Sequence, residues 1–223
     1  ERALKKHGRQ SKQVLAIGSH GQTIKHSPNM PNPYSMQIGH GPTIAAKTGV
    51  TTITDFRSLD VAMGGQGAPL VPAFHEWCFA PISNERIMLN IGGIANITIL
   101  NPSHDNPIGY DTGPGNCLMD EWAQIHLGKS YDENGSWAAS GKVIPVLLEE
   151  LLSNEYFEKQ YPKSTGRESF NLELLAKEKT SGRGIKEKSP ENIQATLLQF
   201  TAESIRASIE KTAVDPDSPI YIC

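Results

Sequence analysis

The sequence predicts a mixed α/β fold, and three observations predict it. Short β-branched runs separated by polar, Gly-rich connections fill the chain up to about Gly67. A strand, a Gly-Gly turn and a second strand occupy 86–100. Beyond Asn116 the apolar spacing turns helical, before a last strand-like run at 218–223. The 223 residues suffice for one large domain or two small ones, each with a real core.

Taken in order, the charged opening (Arg2, Lys5, Lys6, Arg9) reads as the tail of a helix. Val14-Leu15-Ala16-Ile17-Gly18 is an apolar run suited to a buried parallel strand. It ends in the polar loop Ser19-His20-Gly21-Gln22-Thr23, at the strand end where open α/β sheets place ligands. Pro28 to Pro42 holds four prolines and reads as loop, with one short strand around Ser35–Ile38. Gly49 to Asp55 is a second strand, running out into Asp55-Phe56-Arg57. Gly64-Gly65-Gln66-Gly67 is a flexible joint, and a short helix lies near Ala73–Phe79.

Arg86–Ile91 and Ile94–Leu100 are strands joined by Gly92-Gly93, because a primed hairpin turn needs positive φ. Ile108-Gly109-Tyr110 leads into Asp111-Thr112-Gly113-Pro114-Gly115-Asn116, and a helix follows. Asn116 is its expected N-cap, with Leu118, Trp122 and Ile125 on one face. A helix is expected across Ser140–Ser153, burying Val143, Val146, Leu147 and Leu151, and a short one after Asn171. The longest starts at Ser189-Pro190 and buries Ile193, Leu197, Phe200, Ile205 and Ile209.

Composition excludes several classes of function. Lys and Arg number 21 against 24 Asp and Glu, a net charge of −3 with no basic block, which argues against nucleic acid and acidic membranes. No run approaches the roughly 20 apolar residues of a bilayer span, and the start does not read as a signal peptide. A cytoplasmic protein is the expectation. Cys78, Cys117 and Cys223 form no CxxC pair, and the seven histidines show no metal-ligand spacing, so no protein-held metal is expected.

Asp111 through Asn116 combine a carboxylate at a strand end, a Gly-rich turn and a helix N-terminus. Such parts can hold phosphate or sugar oxygens on backbone N–H groups while the carboxylate acts as a base. An Asp capping a tight turn would look the same. The aspartic-protease use of Asp-Thr-Gly fails, since Pro114 follows and no second copy exists. The Gly92-Gly93 turn could wrap a phosphate or be an ordinary hairpin. His20 and Gln22 could hold a polyhydroxylated ligand, or His20 one structural hydrogen bond. Asp55 and Arg57 could bind sugar hydroxyls and an acidic substituent, or form a local ion pair. Gly128-Lys129-Ser130 mimics the end of a phosphate-binding loop, but Ala123 stands where its first glycine is needed.

Together these segments resemble the anhydro-N-acetylmuramic acid kinases of bacterial cell-wall recycling. The resemblance rests on Ala16–Thr23, Gln37-Ile38-Gly39, Asp55-Phe56-Arg57, Gly64–Pro72, Leu89–Asn96, Gly109–Asn116 and Lys163–Glu168, whose order spans nearly the whole chain. It implies a two-domain fold of the hexokinase, actin and heat-shock ATPase type, ribonuclease H-like. Residues 1–82 would be part of an N-terminal sugar-kinase domain, and 83–223 an incomplete C-terminal domain with a helical insertion. The implied reaction uses ATP, Mg²⁺ and water to open 1,6-anhydro-N-acetylmuramic acid and phosphorylate its O6. Asp111 would be the base; Gly92, Gly93, Asn96, Thr112 and Gly113 would lie at the nucleotide; His20, Gln22, Gln37, Asp55 and Arg57 would lie at the sugar. The partners would be the amino sugar and ATP, and a homodimer is allowed. A non-catalytic sugar-binding member, or a same-fold kinase for another amino sugar, is the alternative. The family's N-terminal Gly-Thr-Ser…Asp-Gly phosphate loop and its C-terminal adenosine segment are not in the sequence, so a fragment truncated at both ends and inactive alone is expected.

Overall fold

The computed structural model describes residues 2–28, 31–79, 83–176, 188–213 and 215–223. Contacts divide the chain into two compact units, Glu1–Leu70 and Val71–Cys223. The boundary expected at 82/83 abuts residues 80–82, which lie outside the described residues.

In the first unit a short helix, α1 (Arg2–Lys6), occupies the charged opening. Strand β1 (Ile17–Gly18) pairs in parallel with β4 (Thr52–Ile53), so both expected strands form in shortened versions, but the first is not buried: Leu15 is 94% exposed and Gly18 is exposed. The polar loop is shorter than expected, because Gln22 and Thr23 open a strand, β2 (Gln22–Ser27), antiparallel to β3 (Tyr34–Ile38). That strand has no apolar alternation; both its faces are exposed or half-buried, so its only signature is backbone pairing. The proline-rich segment ends in α2 (Gly41–Thr48), which the loop reading missed. Pro42 sits in its first turn, where the missing N–H costs nothing. The His40 imidazole accepts from Thr43 N at 3.3 Å, and Gly49 closes the helix at φ 67°. A further helix, α3 (Ser58–Ala62), follows the Asp55-Phe56-Arg57 turn.

The second unit begins with α4 (Pro72–Phe79). Its sheet has the order β7-β6-β5-β8, built from β5 (Arg86–Ile91), β6 (Ile94–Leu100), β7 (Ile108–Pro114) and β8 (Ile220–Ile222). The first three are antiparallel neighbours, and β8 lies parallel to β5 with Ile87 opposite Ile220. This is the order and sense of a ribonuclease H-like sheet. The helices are α5 (Cys117–Leu127), α6 (Ser136–Ser140), α7 (Pro145–Leu152), α8 (Glu173–Ala176) and the 23-residue α9 (Pro190–Thr212).

Helix α9 organises two cores. Ile193, Leu197 and Phe200 pack with Leu118 and Trp122 of α5, Leu147 and Leu151 of α7, and the rings of Tyr156 and Phe170. The rings meet edge-on, Tyr156–Phe170 at 5.6 Å and Phe157–Phe200 at 5.7 Å, each worth about 0.5–1.5 kcal/mol beyond burial. Further along, Ile205 packs on Ile87, Leu89, Ile97, Ile99 and Tyr110 of the sheet, with Ile209 partly buried beside them.

Three expectations need correction. The helix expected over 140–153 is two helices, because Pro145 can only begin one. Val143 falls between them and, like Val146, is exposed. The intervening backbone is instead bonded to α9, Lys142 N to Asn192 Oδ1 at 2.7 Å and Ile144 N to Thr196 Oγ1 at 2.9 Å. Ile125 is 62% exposed; the buried stripe of α5 ends at Ala123, two residues earlier. Asn116 holds the N-cap position without capping: its side chain donates to Ile91 O at 3.1 Å.

Candidate functional site

The β5–β6 hairpin and the start of α5 form one corner of the second unit. Three amides at the head of the helix point at the turn: Gly115 N bonds to Gly93 O at 2.9 Å, Asn116 N to Gly92 O at 2.8 Å, and Cys117 N to Gly93 O at 3.1 Å. The approach is so close that a β-carbon on Gly115 would stand 2.2 Å from Gly92 O. These helix-start amides are therefore spent on the turn and are not presented to an anion, contrary to the sequence reading. A further donor at this corner is Arg167. A methyl at Gly93 would stand 3.4 Å from Arg167 Nη2, so the guanidinium overlies the turn.

Asp111 lies on β7, opposite Asn96 of β6, which in turn lies opposite Asn90 of β5. The aspartate is 6% exposed. Thr165 N donates to its Oδ2 at 2.9 Å, and the Tyr156 hydroxyl donates to its backbone carbonyl at 2.7 Å. Asp111 N donates to Lys163 O at 3.2 Å, so the Lys163–Thr165 stretch is laced to β7. Burial, then the Asp111 and Tyr110 charges, push the Tyr156 phenol well up, which keeps it a donor at neutral pH. Thr112 Oγ1 and Thr165 Oγ1 are buried with no hydrogen-bond partner among the described residues. Gly113 (φ 140°) lies beneath Phe157, where a β-carbon would be 2.9 Å from Cε1. Thr112 and Gly113 thus adjoin the aspartate from inside the fold, whereas Gly92, Gly93 and Asn96 are half-buried.

In the first unit His20 and Arg57 come together. Arg57 Nη2 lies 3.2 Å from His20 Nε2, and Nη1 donates to Gly67 O at 2.5 Å. Burial first and the Arg57 charge second lower the His20 pKa, so the ring is neutral and can accept from the guanidinium. Gln37 donates to Ser35 Oγ at 2.6 Å, across the hairpin from Thr23. Gln22 is exposed on β2, opposite Ile38. Asp55 adopts φ 59° and accepts from Ser58 N at 3.3 Å, opening α3.

Sequence reasoning passed over Arg167, Thr165 and Tyr156. The Lys163–Glu168 stretch was a recognised segment, but its roles depend on a loop folding back over β7. Tyr156 carried no local signal at all. Among the described residues no cluster of three or more His, Cys, Asp or Glu side chains could hold a metal, and no helix is long and apolar enough to cross a membrane.

The family model "Anhydro-N-acetylmuramic acid kinase" matches residues 1–223. The anhydro-N-acetylmuramic acid kinase of Aliivibrio fischeri is 50% identical over 214 residues, covering 96% of this chain and 57% of that protein. Those of Shewanella oneidensis (50% over 211 residues; 95% and 56%) and Pasteurella multocida (49% over 220 residues; 99% and 57%) are similar to the same extent. The chain spans a little over half the length of these relatives. With a family model matched end to end and near-half identity across almost every residue, the chain belongs to the anhydro-N-acetylmuramic acid kinase family.

Proposed function

We propose that the full-length protein is a kinase that opens 1,6-anhydro-N-acetylmuramic acid with water and phosphorylates O6, giving N-acetylmuramic acid 6-phosphate. The observation that carries this reading is the Asp111 carboxylate, buried in the middle of β7 and fixed by Thr165 N–H, opposite Asn96, which lies three residues on from the turn that Arg167 overlies. Bound Mg-ATP supplies the γ-phosphoryl group for O6. Asp111 takes the proton of a water whose oxygen bonds to the anomeric carbon as the C1–O6 bond breaks, and the released O6 becomes the phosphoryl acceptor. The amides of Gly92 and Gly93 and the guanidinium of Arg167 are the groups we assign to phosphate oxygens. Asn96, Thr112 and Gly113 shape the floor around them. His20, Gln22, Gln37, Asp55 and Arg57 are assigned to the sugar, with Arg57 facing its carboxylate. Mg²⁺ would arrive on the phosphates, since the chain supplies no ligand cluster of its own among the described residues. A cytoplasmic setting and a homodimer belong to the same proposal and are checked by cell fractionation and light scattering.

The test incubates the full-length protein with Mg-ATP and either the anhydro sugar or N-acetylglucosamine, in ¹⁸O-labelled water. We expect ADP release with the anhydro sugar alone and one labelled oxygen in the 6-phosphate product. Turnover with N-acetylglucosamine instead would move the substrate to another amino sugar, and no turnover with either would favour a binding protein.

A further inference from the structure

A second site lies on the opposite flank of β7, away from the Asp111 carboxylate. A cavity of about 260 Å³ opens between β7, the loop at 159–163 and the outer face of α9. Lys163 forms its base and is only 8% exposed. Its ammonium donates to Tyr156 O at 3.2 Å and lies over the rings of Tyr156 and Tyr110, at 4.5 and 5.7 Å. Among the described residues no carboxylate pairs with it. Lys159 and Lys211 line the same cavity, with Arg206 at its edge. The acid on the rim, Glu203, is already engaged by Arg206 at 2.8 Å and by Gln199 at 2.9 Å.

A buried ammonium without a counter-charge is costly, and two further lysines raise that cost. Of its three donors, one is used by a carbonyl and two rings occupy another side. The wall beside it is the stacked pair Tyr110–Tyr161, at 5.5 Å, with the Tyr110 hydroxyl already donating to Ser208 O at 3.0 Å. The cavity lies just below the usual size of small-molecule sites. What completes such a pocket is a compact ligand bearing negative charge and several acceptor oxygens.

We propose that this pocket binds a tetrahedral oxyanion, as free phosphate or as the phosphate group of a small ester, with Lys163 as its central ligand and Lys159 and Lys211 as rim contacts. Burial, then Lys211 and Lys159, pull the Lys163 pKa down to about 8, so occupancy by an anion and protonation of Lys163 are linked.

The probe is sulfate, whose charge does not change across neutral pH, added to the chain with ε-¹³C-labelled lysines and followed by NMR against sodium chloride of equal ionic strength. One lysine, identified by its loss in Lys163→Met, is expected to titrate near 8 and to shift upward saturably with sulfate. Sulfate affinity is expected to fall about tenfold between pH 7 and pH 9, the fall in the protonated fraction of a group titrating at about 8. Lys211→Gln, an exposed change that leaves Lys163 in its packing, is expected to weaken sulfate several-fold. Inorganic phosphate and glycerol phosphate, compared at pH 7, separate the two sources: equal binding means the free ion suffices, and tighter glycerol phosphate means an ester. A Lys163 titration that chloride moves as much as sulfate does, or an affinity indifferent to Lys211→Gln, would overturn the site.

Discussion

Gly115→Ala tests the joint between the hairpin and α5 on which the phosphate corner depends. Gly115 needs no unusual φ, so alanine meets no intrinsic backbone penalty there. Its β-carbon would, however, stand 2.2 Å from Gly92 O and 3.2 Å from Ala95 N, both backbone atoms that cannot swing aside. The turn must lift off the helix, straining or breaking three hydrogen bonds, about 1 kcal/mol each. Displacing packed backbone adds about 1–3 kcal/mol, and the stiffer unfolded chain returns about 0.4–1. The net expectation is a loss of about 3–6 kcal/mol, or about 6–22 °C in Tm for a chain of this size. Gly128→Ala is the control: φ is +66° with no atom within 4 Å, so only the left-handed backbone cost of about 1 kcal/mol applies. Urea unfolding of the three proteins reads both, as midpoints with an unchanged m-value. If Gly115→Ala costs no more than Gly128→Ala, the close approach of turn and helix is refuted.

Two further predictions come from the charges. Burial pushes the Cys117 thiol up to about 11, while Cys78 and Cys223 are exposed, so two thiols should react quickly with a disulfide reagent at pH 8 and the third only on unfolding; three fast thiols would contradict the packing around α5. Arg57→Met removes the second of the two causes that lower His20, so its pKa should rise while staying below the ordinary 6.5, because burial remains; proton NMR of the ring reads this, and an unchanged titration would separate the two residues.

How much of this was legible in the sequence differs by element. The strands of the hairpin at 86–100 and helix α9 declared themselves because apolar pattern and structure coincide: α9 buries the Ile193, Leu197, Phe200 and Ile205 that its periodicity marked. Two finer expectations fail: Asp111 lies in the middle of β7, which runs on to Pro114, and neither Gly92 nor Gly93 takes the positive φ of a primed turn. Strand β2 did not, since neither of its faces is buried, and α2 hid behind prolines that read as loop. Pro145 was visible but was overruled by the spacing of its neighbours. The site was legible in its acidic and glycine residues and illegible in what fixes them. Nothing local announces that Thr165 N, 54 residues on, holds Asp111, or that Arg167 settles over Gly93. The helix-start amides that the sequence could offer to a phosphate are instead consumed by the turn carbonyls. Long-range pairing decides such matters, and a periodicity does not encode it.

The measurement nearest the centre of this account is the turnover of the full-length protein carrying Asp111→Asn. The amide is isosteric and can still accept from Thr165 N, so circular dichroism and Tm should match the wild type to within a few degrees. Without a base, kcat for the anhydro sugar should fall by about 10²–10⁴, with little change in KM for Mg-ATP. A variant that folds normally and keeps wild-type kcat would contradict the role assigned to Asp111.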